Sequence, residues 1–296
     1  MRKRPFLFAS LLFGGIFLFF LLVLFAAGML RTGSLLRGPD RQIGVLEIQG
    51  AIDNERLVLR QIDELLTSDA VVAVVLRIDS PGGAVGPSQE IHSELQRLAQ
   101  SKPLIVSFGS VVASGGYYLA VAGERLFASP GTITGSIGVI MSFPDYQELM
   151  GKVGVRTEVI KSGPYKDIGS ATRGMTERDR QLLNELIADV HQQFVEAVSA
   201  GRSMSVEELT PYVDGRIFTG RQALQIGLID ELGTFNDAVD YAAQQAGISG
   251  KPDLVFPAPE KTGLIQRYLN ILAGRFIGVE LDAHRTPGPH YLWPGF

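Results

Sequence analysis

From residue 42 onward, short runs rich in Val and Ile alternate with segments whose apolar residues recur every three or four positions. This alternation is typical of strands joined by crossover helices, and it favours a largely parallel sheet. The run at residues 71–76 is apolar at every position, as expected for a central strand that is covered on both faces. The sequence therefore predicts an α/β fold.

The individual elements follow from the same periodicities. The predicted strands are Ile43 to Ile48, Val71 to Ile78, Leu104 to Phe108, Arg125 to Ala128, Val139 to Phe143 and Thr157 to Lys161. The predicted helices are Arg56 to Leu66, Ser88 to Gln100, Gly115 to Ala122, Asp145 to Lys152, Thr176 to Ala200, Gly220 to Ile226 and Phe235 to Ala246. The apolar stripe of the longest helix is interpreted as core or subunit contact. No internal repeat divides this region, so we expect one domain.

The amino terminus has a different pattern. Phe6 to Leu30 are 25 consecutive positions without an ionisable side chain, enough for a helix to cross a hydrocarbon core of about 30 Å. A cleaved secretory signal is the alternative, since residues 2–4 are cationic and residues 26–28 are small. The apolar run exceeds the usual length of a signal, which favours a retained anchor. Cations flank the span on both sides, and their placement favours an inside amino terminus with the remainder exported.

These patterns divide the chain into four parts. Residues 1–30 form a head and transmembrane anchor, 31–41 a linker, 42–256 the folded α/β domain, and 257–296 an amphipathic tail. The tail ends in an apolar, aromatic stretch. The tail could pack on a neighbouring subunit, lie on the membrane surface or dock near the active groove. We expect subunit packing, because the cations of the tail are too few for a basic membrane-binding face.

Composition narrows the function classes. The chain has 296 residues, of which 46% are hydrophobic and 20% charged, so it can bury a sizeable core and is not disordered. It has no cysteine, which excludes thiol nucleophiles and thiolate metal sites. Its formal charge of −4 lacks the basic signature of a nucleic-acid binder.

Three Gly- and Ser-containing turns stand beside apolar strands, at residues 79–83, 113–118 and 134–138. Ser114 lies between a strand and a helix start, where backbone N–H groups could stabilise a developing oxyanion. It could also be an ordinary N-cap serine. That alternative does not explain Gly115 and Gly116, which weaken a first helical turn unless the backbone must approach something closely.

A serine nucleophile needs a base. The four histidines fall in helical patterns or in the terminal tail, which favours surface or packing roles: His92, His191, His284 and His290. Lys166 lies in an irregular loop after a predicted strand, where its amine could be aimed at a site. A lysine acts as a base near neutral pH only when burial lowers its pKa, so an exposed lysine is the other interpretation. We expect the neighbouring Asp167 to bind backbone or another cation.

In their order and context these turns resemble the signal peptide peptidase A family in its short bacterial form, a group of Ser-Lys peptidases with the Clp-protease/crotonase fold. The resemblance spans about residues 43 to 247. Its motifs are Arg77-Ile78-Asp79-Ser80-Pro81-Gly82-Gly83, Ala113-Ser114-Gly115-Gly116-Tyr117-Tyr118, Thr134-Gly135-Ser136-Ile137-Gly138-Val139 and Ser162-Gly163-Pro164-Tyr165-Lys166-Asp167.

The resemblance implies that residues 42–256 are a peptidase domain. It implies Ser114 as nucleophile, Lys166 as general base, and Ser136 as the hydroxyl that holds the lysine amine, although Ser136 could simply satisfy its own turn. The backbone N–H groups of Gly83 and Gly115 would form the oxyanion hole. This agrees with the residue-level argument, in which the base had to be a lysine and the donors main-chain groups. No cofactor or metal is expected.

The resemblance also implies a substrate and a location. The enzyme would degrade apolar signal-peptide remnants left in the membrane, working as a ring- or dome-shaped homo-oligomer and binding no nucleic acid. It would sit in the bacterial cytoplasmic membrane as a single-pass protein, with its catalytic domain on the extracytoplasmic side. A related Ser-Lys peptidase that trims other membrane proteins and a catalytically inactive membrane scaffold are the alternatives. An acyl-CoA enzyme of this fold would leave the anchor unexplained.

Overall fold

The computed structural model describes residues 14–23, 41–258 and 288–295. The chain divides into two compact units, Met1–Arg41 and Gln42–Phe296. In the first unit residues 14–23 are helical (α1). Within the described ranges, no helix combines the length and the apolar character needed to cross a bilayer. The predicted span, Phe6 to Leu30, lies outside these residues except for α1.

The second unit is built around a mostly parallel sheet, which confirms the predicted α/β class. Within the described residues the strands run in the order β7-β6-β4-β2-β1-β9, and β5 and β8 extend the sheet from β4. Only the β6–β7 pair of this sheet is antiparallel. The strand bounds are β1 Gln42–Gln49, β2 Val71–Ser80, β3 Gly82–Ala84, β4 Leu104–Ala113, β5 Arg125–Ala128, β6 Ile133–Gly135, β7 Ile217–Thr219, β8 Glu231–Leu232, β9 Asp253–Val255 and β10 His290–Leu292.

Helices cover both faces of this sheet. Alternate residues of β2 enter two different hydrophobic clusters, with Val74 and Leu76 in one and Ala73 and Val75 in the other. This confirms the prediction of a central strand buried on both faces. The helix bounds are α2 Arg56–Thr67, α3 Val85–Ala99, α4 Gly115–Ala120, α5 Gln147–Lys152, α6 Glu177–Arg202, α7 Val206–Leu209, α8 Gly220–Gln225 and α9 Phe235–Gln245, with a 3-10 turn at Thr210–Tyr212.

The long helix α6 begins where its sequence predicts. The Thr176 hydroxyl accepts a hydrogen bond from the Asp179 N–H, and the Asp179 carboxylate accepts one from the Thr176 N–H. This capping box satisfies two N–H groups that a helix start leaves open. Phe194 and Val198, from the predicted stripe, are fully buried, whereas Leu182 stays partly exposed. The carboxyl-terminal end of this apolar stripe therefore belongs to the hydrophobic core.

Two predicted strands are wrong. Residues 139–143 form no strand, although Ile140 makes an isolated bridge with His290. Residues 157–161 are irregular and exposed, and Ile160 has 98% of its surface in solvent. Both segments have β-branched sequences, but β-propensity is expressed only where a partner edge is available. Among the described residues of this one chain, the second segment has no such edge.

Candidate active site

The three predicted turns meet at one edge of the sheet. Strands β2, β4 and β6 are parallel neighbours, so their carboxyl ends lie side by side. Ala113 pairs with Gly135, and the Ser114 N–H donates to the Gly135 carbonyl at 2.8 Å. The carboxyl edge of a parallel sheet is where α/β proteins commonly place their binding sites. Residues distant in sequence therefore share one candidate site.

Ser114 has the features of a reactive residue. Its backbone adopts φ 51° and ψ −118°, a region that non-glycine residues rarely occupy and that costs of order 1–3 kcal/mol. Its side chain makes no capping hydrogen bond to α4, so the N-cap interpretation is wrong. The residue is 1% exposed, and among the described residues its Oγ has no hydrogen-bond partner. A buried hydroxyl without a partner is costly unless a further group binds it.

Strand β3 presents the Gly83 backbone toward the site. On one edge, Ile52 donates to the Gly82 carbonyl and accepts from the Ala84 N–H, both at 2.9 Å. Backbone groups of successive residues point to opposite edges of a strand, so the N–H and carbonyl of Gly83 face away from Ile52. A side chain at Gly83 would collide with Ile52, since a Cβ would lie 2.2 Å from its carbonyl oxygen.

The predicted oxyanion residues, Gly83 and Gly115, are neighbours in space. A Cβ on Gly115 would lie 3.1 Å from the Gly83 nitrogen. Gly82 has φ 102°, and a Cβ there would lie 2.6 Å from the Gly115 nitrogen. The glycines thus allow two backbone segments to approach more closely than side chains would permit. This close approach explains why a glycine, Gly115, follows Ser114 in the sequence.

Ser136 directly follows Gly135, whose carbonyl accepts the Ser114 N–H. It has φ 51°, and its N–H donates to the Arg216 carbonyl at 2.8 Å. Its side chain lines a cavity of about 480 Å³, together with Ile140, His191 and Trp293. In the described part of the chain the Nε2 atom of His191 is buried without a hydrogen-bond partner. The cavity therefore offers polar groups beside Ser136.

Lys166 is not brought to this cluster. It lies on an exposed loop, and the unpartnered state of the Ser114 Oγ among the described residues excludes a direct hydrogen bond between them in one chain. The adjacent Asp167 accepts hydrogen bonds from Arg173 at 2.9 Å and from Lys161 at 2.6 Å. These two cations hold the pKa of Asp167 well below its usual range. The expectation that Asp167 binds cations other than Lys166 is confirmed.

One part of the site comes from the tail, for which the sequence favoured packing on a neighbouring subunit and left docking near the active groove as an alternative. Strand β10, near the carboxyl terminus, pairs antiparallel with β3 and places Tyr291 opposite Gly83. The Tyr291 ring is fully buried against Tyr118 and Phe194. The aromatic character of the tail was the sequence signal for this contact, but it does not show where in the fold the tail packs.

A buried serine with an unpartnered hydroxyl, beside closely approaching glycine amides, is the arrangement of a serine hydrolase. Sequence comparison identifies the family: a model described as "Peptidase family S49" matches residues 96–249. The chain belongs to this family and is a serine peptidase. The matched residues include Ser114, Ser136 and Lys166.

Curated relatives agree with this assignment. A candidate protease of Synechocystis sp. is 45% identical over 217 residues, covering 73% of this chain and 77% of the relative. A candidate signal peptide peptidase of Enterococcus faecium is 36% identical and covers 82% and 74%. Protease 4 of Salmonella typhi is 35% identical over 63% of this chain and 30% of its own length.

Proposed function

We propose that this chain is a membrane-anchored serine endopeptidase that uses Ser114 and Lys166 to degrade signal peptides left in the membrane after their release. The observation that carries the peptidase chemistry is the buried, unpartnered Ser114 hydroxyl next to Gly83 and Gly115. The edge of strand β3 that pairs with β10 is also the edge on which an extended peptide that displaces β10 would pair. An extended chain bound there lies along the nucleophile.

The proposed chemistry is acyl transfer. The neutral amine of Lys166 takes the Ser114 proton while Oγ attacks the carbonyl carbon of the scissile bond. The N–H groups of Gly83 and Gly115 bind the resulting oxyanion; one such donor is worth about 3–4 kcal/mol in other serine peptidases. The proton passes to the leaving amine, and water then hydrolyses the acyl-enzyme.

We propose that Lys166 reaches Ser114 from a second copy of the chain. Within one chain Lys166 is exposed, whereas the Ser114 hydroxyl is buried. The segment that leads to Lys166 also exposes three apolar side chains, Val153, Val159 and Ile160. An exposed apolar patch of this kind marks an interaction surface. A second copy would cover this patch and deliver the amine in the same step.

The cavity beside Ser136 is the proposed destination of that amine. Its polar lining groups include the Ser136 hydroxyl, Asn184 and Asp214. Asp214 already pairs with Arg216, so burial of an amine there by a second copy would favour its neutral form, which is the form that accepts a proton. This gives Ser136 the role of orienting the lysine.

The finer assignments rest on the sequence and on the relatives. The mostly parallel sheet supports a Clp-protease/crotonase-like fold. The 25 uncharged positions from Phe6 to Leu30 support a single-pass anchor in the bacterial cytoplasmic membrane, with the catalytic domain outside the cytoplasm. The name of the Enterococcus faecium relative supports signal-peptide remnants as substrate. Anchoring would raise the local concentration of an apolar peptide.

Complementation between two inactive variants tests this proposal. Ser114→Ala and Lys166→Ala should each abolish hydrolysis of apolar peptides, because each lacks one half of the site. Co-expression of the two full-length variants should restore about a quarter of the wild-type activity, the statistical share of sites that receive both intact residues across a heterologous interface. The measurement is peptide hydrolysis by the purified mixture.

The outcomes separate the parts of the proposal. Two inactive variants that do not complement would place the dyad within one chain. Full activity in either single variant would remove that residue from the mechanism. A wild type that cleaves no apolar peptide would contradict the peptidase proposal as a whole.

A further inference from the structure

Two further serines, Ser80 and Ser88, are fully buried beside the glycine turns. Ser80 is the last residue of β2, and Ser88 lies near the start of α3. A buried hydroxyl is costly unless it is hydrogen-bonded, and both of these are. The Ser80 Oγ accepts from the Gly82 N–H at 3.1 Å, and the Ser88 Oγ donates to the Ala84 carbonyl at 2.8 Å. The two hydroxyls therefore bind the two ends of β3.

These bonds hold the backbone on both sides of Gly83. Ile52 binds the other polar groups of the end residues, since it donates to the Gly82 carbonyl and accepts from the Ala84 N–H. Gly82 and Ala84 are thus each held at both their N–H and their carbonyl group. Such support matters here because Gly82 has φ 102°, and glycines have more conformational freedom than other residues. The direction of the Gly83 N–H is therefore set by its two neighbours.

The same two serines also contact the segment that carries the second oxyanion donor. A Cβ on Gly115 would lie 2.9 Å from the Ser88 Oγ. A Cβ on Gly116 would lie 2.9 Å from the Ser80 carbonyl oxygen and 3.4 Å from the Ser80 Cβ. Each serine is hydrogen-bonded to β3 and packed against the start of α4. Because protein interiors are close-packed, a shift of either serine would move both segments.

We propose that Ser80 and Ser88 are positioning residues that together fix the spacing and the direction of the oxyanion donors on Gly83 and Gly115. The proposal rests on the proposed peptidase function, and it gives the two serines no contact with substrate. An oxyanion donor stabilises the transition state only when it points at the oxygen on which charge develops. A misplaced donor therefore slows the chemical step and leaves the binding of the uncleaved peptide unchanged.

The two hydroxyls should contribute unequally. Removing the Ser80 hydroxyl takes away the acceptor of the Gly82 N–H in a buried turn. Removing the Ser88 hydroxyl takes one donor from the Ala84 carbonyl, which as a helix N-cap carbonyl also accepts the first bond of α3. We expect kcat to fall about 10- to 100-fold in Ser80→Ala and about three- to tenfold in Ser88→Ala, with KM unchanged.

Inhibitors show whether the effect acts on the transition state. The substrate is a fluorogenic amide of trileucine. The inhibitors are trileucine aldehyde, which forms a tetrahedral adduct with Ser114, and the matched alcohol, which cannot. In full-length Ser80→Ala and Ser88→Ala, the Ki of the aldehyde should rise by the factor by which kcat/KM falls, while the Ki of the alcohol stays within about twofold of wild type. Because a Ki does not depend on the fraction of folded enzyme, a merely unstable variant would keep the wild-type value.

Ser107→Ala is the matched control. Ser107 is also buried, on β4, and its Oγ accepts from the Arg77 guanidinium at 2.8 Å. Its loss should lower the melting temperature, as the loss of the Ser80 hydroxyl does, but leave kcat/KM and the Ki of the aldehyde at their wild-type values. A rise of the aldehyde Ki in Ser107→Ala equal to that in Ser80→Ala would show general loosening of the fold and overturn the proposal.

The remaining outcomes separate this proposal from the proposed function. Wild-type values of kcat/KM and of the aldehyde Ki in folded Ser80→Ala would overturn the positioning role and leave the peptidase intact. A wild type that hydrolyses no apolar peptide would instead overturn the proposed function. If Ser80→Ala does not fold, Ser80→Cys replaces it, because a thiol is a weak acceptor and the chain has no other cysteine.

Discussion

At the scale of single residues, the site stores strain in its backbone. Ser114 and Ser136 both have φ 51°, a left-handed value that glycine adopts at little cost. Hydrogen bonds from their N–H groups to Gly135 and Arg216 hold these conformations. The strain directs two hydroxyls into the site, which is a gain for chemistry and a loss for stability.

Replacing the nucleophile should therefore stabilise the fold when the new residue is glycine. Ser114→Gly should unfold with a free energy about 1 kcal/mol higher than Ser114→Ala, because alanine keeps the unfavourable φ and glycine does not. Both variants remove the hydroxyl, so the comparison isolates the backbone. Chemical denaturation of the two proteins measures the difference. Equal stability, or a less stable glycine variant, would contradict strain at this residue.

At the scale of elements, the loop that carries Lys166 is organised by charge. Arg173 binds both Asp167 and Asp179, and Lys161 binds Asp167, in a segment with little regular structure. Asp179 also belongs to the capping box of α6, and its pKa is lowered to about 2, first by Arg173 and then by the Thr176 N–H. Through its two ion pairs, Arg173 therefore connects the loop to the start of helix α6.

Asp167→Asn should loosen this loop without unfolding the domain. Removing the charge leaves Arg173 and Lys161 without their shared partner, so Lys166 loses a fixed position and activity should fall about tenfold. Hydrogen exchange of residues 161–175 should rise while the melting temperature changes little. Asp240→Asn, on the exposed face of α9, is the control and should change neither.

Acid should have the same effect as this substitution. Because the pKa values of Asp167 and Asp179 are lowered in the folded state, their contribution is complete above about pH 4 and is lost as pH falls toward 2. If the protection factors of the loop amides against hydrogen exchange are the same at pH 5 and at pH 2.5, this account of the charge cluster is contradicted.

The elements that the sequence predicted are those whose pattern is local. Strands β2 and β5 and helix α6 show their period within one segment, and all three lie where expected. Strands β3 and β6 are three residues long and Gly-containing, so their pairing is decided by distant partners. Ser114 and the glycine turns could be singled out by local chemistry. The aromatic cluster of Tyr118, Phe194 and Tyr291 could not, because its residues lie far apart in sequence.

At the scale of the whole molecule, one segment of the second unit, residues 149–160, stands out by its exposed apolar side chains. Val153, Val159 and Ile160 lie near Lys166 in sequence and are more exposed than core-forming side chains normally are. The sequence predicted a strand at residues 157–161. Among the described residues that segment has no partner strand, and the sequence pattern alone does not show whether a partner edge is available.

Ile160→Asp tests whether this surface joins two copies. A charged substitution at a side chain 98% exposed should change the stability of a lone chain by no more than about 0.5 kcal/mol. We expect it to abolish both assembly, measured by analytical ultracentrifugation, and peptide hydrolysis. Val206→Asp, at an exposed position on α7, should preserve both. A fully active Ile160→Asp monomer would contradict delivery of Lys166 by a second copy.

The docking of β10 also has a use in inhibitor design. The groove already accommodates the backbone of Pro289, His290 and Tyr291 in a defined register, with the Tyr291 carbonyl against the glycines. A tripeptide of that sequence ending in an aldehyde or boronic acid would set an electrophile within reach of Ser114. Its tetrahedral adduct would resemble the transition state, which active sites bind far more tightly than substrate. Residues 289–291 are thus a template for a covalent ligand.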